Sequence, residues 1–201
     1  MERFQTAAEF KRLARVGRDA GAGIALPSVS LRAVNEKTRT ATFVFSDETE
    51  DREGDRISAA GWEIRDFLRN PVALYGHNSA ALPIGKALNL RVHGPRLIGD
   101  IQFIPAEISS FADQVFKMVK GGYLQAVSVG FMPIEWRWAK EPSRIGSLDF
   151  NRQSLLEISV VTIPANQRAL LIGADAEAVQ RRAQAKRKRT LQLLRLTDVG
   201  L

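Results

Sequence analysis

Apolar positions repeat with two different periods along this chain. Over residues 4–18, Phe4, Ala7, Phe10, Leu13 and Ala14 recur at helical spacing, which predicts a short amphipathic helix. "GRDAGAGIALPS" breaks that pattern with three glycines and a proline and reads as a linker. From Ser28 the alternation becomes mostly strand-like. "SVSLRAV" and "TRTATFVFS" predict two strands about the polar turn "NEK". "DETEDREGDRISAAG" looks too polar to bury and predicts an acidic loop. "WEIRDFLRN" predicts a helix that stops at Asn70, before Pro71, and "PVALYGH" predicts a short apolar strand. "PIGKALNLRVH" and "RLIGDIQFI" alternate about "GP" and predict a hairpin. "AEISSFADQVFKMVKGGY" is the clearest internal helix, with Phe111, Val115, Phe116, Met118 and Val119 on its apolar side and Gly121 as its stop. Two long strand runs follow, "LQAVSVGFMPIEWRWA" and "SLLEISVVTIPAN", and the tail "AEAVQRRAQAKRKRTLQLLRL" predicts a basic helix.

The expected organisation is a basic helical tail with its linker over 1–27, one domain over 28–172 and a basic helical tail over 173–201. The domain is α+β, mostly strand with a few helices. Its hairpin connections favour antiparallel pairing, and its sheet must be covered or closed. No Gly-rich phosphate loop follows a strand, which argues against a nucleotide-binding fold.

Composition removes some chemistries. There is no cysteine, so disulfides, thiolate zinc sites and thiol nucleophiles are excluded. Apolar runs fall well short of the roughly 20 residues that span a membrane, and the first 20 residues do not read as a secretory signal, so a cytoplasmic location is expected. The net charge of +7 invites a nucleic-acid reading, but it is unevenly placed: +2 over 1–30, +4 over 173–201 and only +1 over 31–172. A near-neutral body argues against a nucleic-acid module. The tails suit a polyanion partner or plain solvation.

Three stretches put a reactive polar residue inside an apolar strand. His77, one of two histidines, ends "VALYGH". It suits a hydrogen-bonded core imidazole, a metal ligand or a catalytic base, but the two histidines show no ligand spacing. Ser128 in "LQAVSVGFMPI" shares a strand face with Leu124, Ala126, Gly130 and Met132, so its flanking neighbours on that face are small. The plain alternative is a serine satisfied by a backbone carbonyl. Glu157 in "LLEISVVTI" has apolar neighbours at both parities, which suggests burial, and a buried carboxylate needs a partner. The plain alternative is an exposed edge strand with Ser159 beside it. Together the three supply a hydroxyl nucleophile, an imidazole base and a carboxylate to orient the base.

"DREGDRIS", "LYGHNSAALPIGKA", "GGYLQAVSVGFMP" and "LLEISVVTIPAN", in that order over roughly residues 29–172, resemble the prohead protease family of tailed bacteriophages. The resemblance implies a serine endopeptidase that cuts scaffold and capsid precursors inside the immature shell in the host cytoplasm. It implies a core fold similar to the herpesvirus assembly proteases, a mainly antiparallel β-barrel flanked by helices. It implies His77 as base, Ser128 as nucleophile and Glu157 as third member. The herpesvirus relatives use a second histidine there, and His93 in "RVHGPR" is the alternative, disfavoured because it sits in an apparent hairpin turn. No cofactor is implied, and a homodimer is expected by analogy. The enzyme is also expected to trim its own tails. The competing reading is a non-catalytic capsid assembly or scaffold protein that keeps the fold.

Overall fold

The computed structural model describes residues 34–172. The helix expected over 4–18, the linker, the start of the first strand and the basic C-terminal helix lie outside the described residues. In chain order the elements are β1 Val34–Asn35, β2 Thr40–Asp47, β3 Arg56–Ile57, β4 Trp62–Glu63, β5 Val72–Tyr75, β6 Gly85–Val92, β7 Arg96–Phe103, α1 Ser110–Lys120, β8 Ala126–Trp138 and β9 Leu148–Val161. The strands form one mixed sheet in the order β1-β2-β7-β6-β5-β9-β3, with β4 and β8 also paired to β9.

β9 organises the sheet. One edge carries the long antiparallel partner β8, from Ala126↔Val161 to Trp138↔Leu148. The other edge carries β3, β4 and β5 one after another, all parallel to it. The expected antiparallel pairing holds for β1–β2, β2–β7, β5–β6, β6–β7 and β8–β9. The parallel contacts are long-range and have no local signature.

Two expectations between residues 47 and 70 are corrected. The acidic stretch is only partly solvated: Glu48, Glu50, Arg52 and Glu53 are exposed, but Asp47, Asp51 and Asp55 are buried. Their carboxylates stand in for missing backbone partners. Asp51 accepts from the amides of Glu53 and Asp55 at 2.8 and 2.9 Å, and Asp55 accepts from the Leu148 amide at 2.7 Å. A buried charge is tolerable when it receives such bonds. "WEIRDFLRN" is not one helix either. Trp62–Glu63 pairs with Gln153–Ser154 of β9, and only Phe67–Arg69 makes a 3-10 turn. The Trp62 indole explains the override: it donates to Ser46 Oγ at 3.2 Å and stacks edge-on against Phe131 at 5.5 Å.

α1 is the one α-helix among the described residues. Ser109 caps it by accepting from the Ala112 amide at 3.1 Å, and Gly121 ends it. It buries Ala112, Val115, Phe116 and Val119, with Phe116 against Phe103. Phe111 and Met118 are not on the buried stripe as expected; they flank it and are half-exposed. No helix among the described residues is long and apolar enough to cross a membrane. Beyond β9 the chain returns between β2 and β8. Leu171 bridges to Phe43 and Leu170 to Ala126, and the Val127 amide donates to Ala169 O at 2.9 Å.

Candidate active site

The site is built where β5 ends beside the last turns of β9. Tyr75 pairs with Val160, and the Gly76 amide donates to Val160 O at 2.9 Å. The backbone then turns sharply: Gly76 has φ 64° and His77 φ 59°. Two successive left-handed residues reverse the chain tightly, and a histidine there costs about 1–2 kcal/mol. A side chain at Gly76 would meet nothing within 4 Å, so the glycine serves conformation and not space. The turn aims His77 back over β9, where its Nδ1 lies 2.7 Å from Glu157 Oε1. An ionised carboxylate only accepts, so Nδ1 carries the proton and Nε2 is left as the acceptor.

Glu157 is 1 % exposed, and both of its oxygens are used. Oε1 takes His77, and Oε2 accepts from Ser159 Oγ at 2.7 Å. Across the ladder Glu157 faces Gly130. A Cβ on Gly130 would stand 2.7 Å from Glu157 Oε1, so the glycine clears the space the carboxylate fills.

Ser128 sits directly opposite Ser159. Opposed residues of an antiparallel pair share a face, and so do residues two apart on one strand. Ser128, Ser159 and Glu157 therefore lie on one face of β8–β9, the face to which the His77 imidazole is tied. Ser128 is 1 % exposed, and its Oγ has no hydrogen-bond partner among the described residues. A buried hydroxyl left unpaired costs about 1–3 kcal/mol, so the position is not explained by local satisfaction. Hydrogen bonding joins His77, Glu157 and Ser159; it does not join Ser128 to His77.

His93 is elsewhere. It is exposed in the β6–β7 turn, where its amide donates to Arg96 O at 2.8 Å. The face expected along β8 holds from Ala126, with Leu124 just before the strand; after Gly130 the register shifts, and it is β9 that carries the extra residue, Leu156, as Phe131 pairs with Leu155. Among the described residues no group of three or more metal-ligating side chains converges.

A family model for the caudovirus prohead serine proteases matches residues 47–182, which takes in every residue of this cluster. The chain belongs to that family. Among prohead-protease relatives, that of Escherichia phage T5 is 34 % identical over 126 residues, covering 59 % of this chain and 55 % of the relative. A capsid polyprotein of Pseudomonas phage PAJU2 is 23 % identical over 180 residues, 88 % of this chain but 26 % of the relative. The chain thus spans little more than half of one relative and about a quarter of the other. No solved structure gives a significant match.

The place of Ser159 in this cluster was largely hidden in the sequence. It reads there only as a neighbour of Glu157. Its spacing of two from Glu157 was the available signal, since that spacing puts both on one face.

Proposed function

We propose that the chain is a serine endopeptidase of prohead maturation, with Ser128 as nucleophile, His77 as general base and Glu157 as the carboxylate that orients the base. One observation carries the reading: a buried serine hydroxyl with no partner among the described residues shares a strand-pair face with an imidazole whose Nδ1 is held 2.7 Å from a buried carboxylate. His77 Nε2 takes the Ser128 proton as Oγ attacks the scissile carbonyl, then returns it to the leaving amine. Glu157 keeps the tautomer and stabilises the imidazolium. The Nε2–Oγ bond forms on substrate binding, since catalytic hydrogen bonds are often unmade without substrate. The site must also open to admit a peptide, because Ser128 is 1 % exposed.

The substrate class is the scaffold region of the capsid precursor, inside the prohead in the host cytoplasm. A capsid polyprotein among the relatives supports that choice. The enzyme acts as a homodimer and without a cofactor. Segment 169–172, hydrogen-bonded to β2 and β8, supports reading the sheet as a herpesvirus-protease-like barrel closed by that segment. Tails of net +2 and +4 would hold the enzyme to an acidic scaffold until self-cleavage removed them.

Co-expression with the cognate capsid precursor, with mass spectrometry of the fragments, tests the function. Precursor fragments and a shortened protease should appear with the unsubstituted chain and be absent with Ser128→Ala. Identical intact masses in both cultures would sink the reading. They would favour a non-catalytic assembly protein, which the likeness to a capsid polyprotein also fits.

A further inference from the structure

We propose that Ser159 is a positioning residue of this site, holding both the backbone and the carboxylate partner of the base through one hydroxyl. The proposal rests on the reading of Ser128, His77 and Glu157 given above.

Ser159 is completely buried on β9, directly opposite Ser128. Its Oγ donates to Glu157 Oε2 at 2.7 Å and accepts from the His77 amide at 3.0 Å. A hydroxyl has one proton and two lone pairs, so both bonds can exist together. Since the carboxylate cannot donate and the amide cannot accept, the direction of each bond is fixed. A closed circuit results: the His77 N–H donates to Ser159, Ser159 donates to Glu157, and His77 Nδ1–H donates to Glu157.

Each bond in that circuit restrains a different freedom. The Ser159–Glu157 bond fixes the rotation of the carboxylate, so that Oε1 and not Oε2 meets the imidazole. The His77 amide bond pins a residue held at φ 59°, a conformation a histidine leaves readily when unrestrained. Gly130 leaves the carboxylate no competing side chain on the facing strand. Ser159 itself does not touch the attacking oxygen or the substrate in this scheme. Its proton is committed to Glu157, which also separates it from Ser128, whose proton is committed to nothing.

The test compares purified Ser159→Ala, Ser159→Thr and Ser159→Val with the full chain on a peptide from the capsid precursor. Threonine and valine have the same shape, so they differ by the hydroxyl alone. Ser159→Ala should lose about 10- to 100-fold in kcat, the size expected for a hydrogen bond to a charged group, with KM within about twofold. Threonine should recover most of that loss and valine should not. A proton signal from His77 Nδ1–H, sharp and far downfield in the unsubstituted chain, should broaden in Ser159→Ala. A merely structural serine would lower the melting temperature without moving that signal or separating threonine from valine. Unchanged kcat in Ser159→Ala, or equal kcat in the threonine and valine variants, overturns the proposal. So does transfer of a fluorophosphonate label to Ser159. Should the variants not fold, slow exchange of the His77 amide in the unsubstituted chain is required, and fast exchange rejects the circuit. Ser128→Ala and His77→Ala are run alongside. If they stay active, the underlying triad reading fails; if they are dead while Ser159→Ala is unimpaired, only this inference fails.

Discussion

The two ends of the β8–β9 pair are both polar and buried, and they differ in how their polar groups are satisfied. At the connection between the strands, Arg144 is 3 % exposed and fully engaged. It meets Asp149 Oδ1 at 2.8 Å, both oxygens of Glu141 at 3.2 and 3.1 Å, and Gly54 O at 3.0 Å. Burial alone would raise the Asp149 pKa, but bonds from Arg144 and Arg137 outweigh it and hold the carboxyl below its ordinary value. Burial likewise opposes the charge of Arg144, yet its carboxylate partners raise its pKa. At the other end a serine hydroxyl has no partner among the described residues, a histidine occupies a left-handed backbone, and a glycine is needed to seat a carboxylate. The first arrangement satisfies its polar groups and ties the connection to β9 and to the loop at Gly54. The second keeps an unmet hydrogen bond and strained backbone, features that concentrate at functional sites.

That contrast can be broken by substitution. The largest effect is expected from Ser128→Ala or His77→Ala, which should lower proteolysis at least about 10⁴-fold while the melting temperature stays near that of the unsubstituted chain. The double variant should be no worse, because the pair acts as a unit. Glu157→Gln should cost less, about 10²- to 10⁴-fold, since a poorly oriented imidazole still acts. His93→Ala should leave kcat/KM unchanged; if it kills activity while Glu157→Gln is inert, the third member is His93.

At the ionic end the effect falls on stability and not on activity. Arg144→Ala takes the guanidinium away from Asp149 and Glu141, both only partly buried, and should destabilise by about 1–3 kcal/mol in urea unfolding, with the kcat of the folded fraction unaltered. Gly130→Ala sits between the two behaviours. Its methyl must displace Glu157, so a loss of about 1–3 kcal/mol in stability should come with a fall of at least about tenfold in kcat. The smallest effect concerns acid. Asp149 has a folded pKa below its unfolded value, so its contribution is present above about pH 4 and is lost as pH falls through the folded pKa. Asp149→Asn should flatten the decline of melting temperature below about pH 4.

Much of this architecture was readable locally. The β6–β7 hairpin about "GP", α1 with its Gly121 stop and the two long final strands follow from period and punctuation. What was not readable depended on distant partners. Trp62–Glu63 becomes strand because β9 offers it a ladder 91 positions away in register, at Gln153–Ser154. Asp55 is buried because the Leu148 amide needs an acceptor. The site divided in the same way. His77, Ser128 and Glu157 were visible as polar residues inside apolar runs, whereas Ser159 acquires meaning only from the turn at Gly76 that returns His77 to β9.

The central claim is that the unpaired hydroxyl of Ser128 is the nucleophile and that His77 activates it. Incubating the full chain with a fluorophosphonate and mapping the adduct by peptide mass spectrometry tests it most directly. A single adduct is predicted at Ser128, formed slowly because the residue is 1 % exposed, absent in Ser128→Ala and strongly suppressed in His77→Ala. An adduct at Ser159, or a proteolytically active chain that takes no label at Ser128, would contradict it.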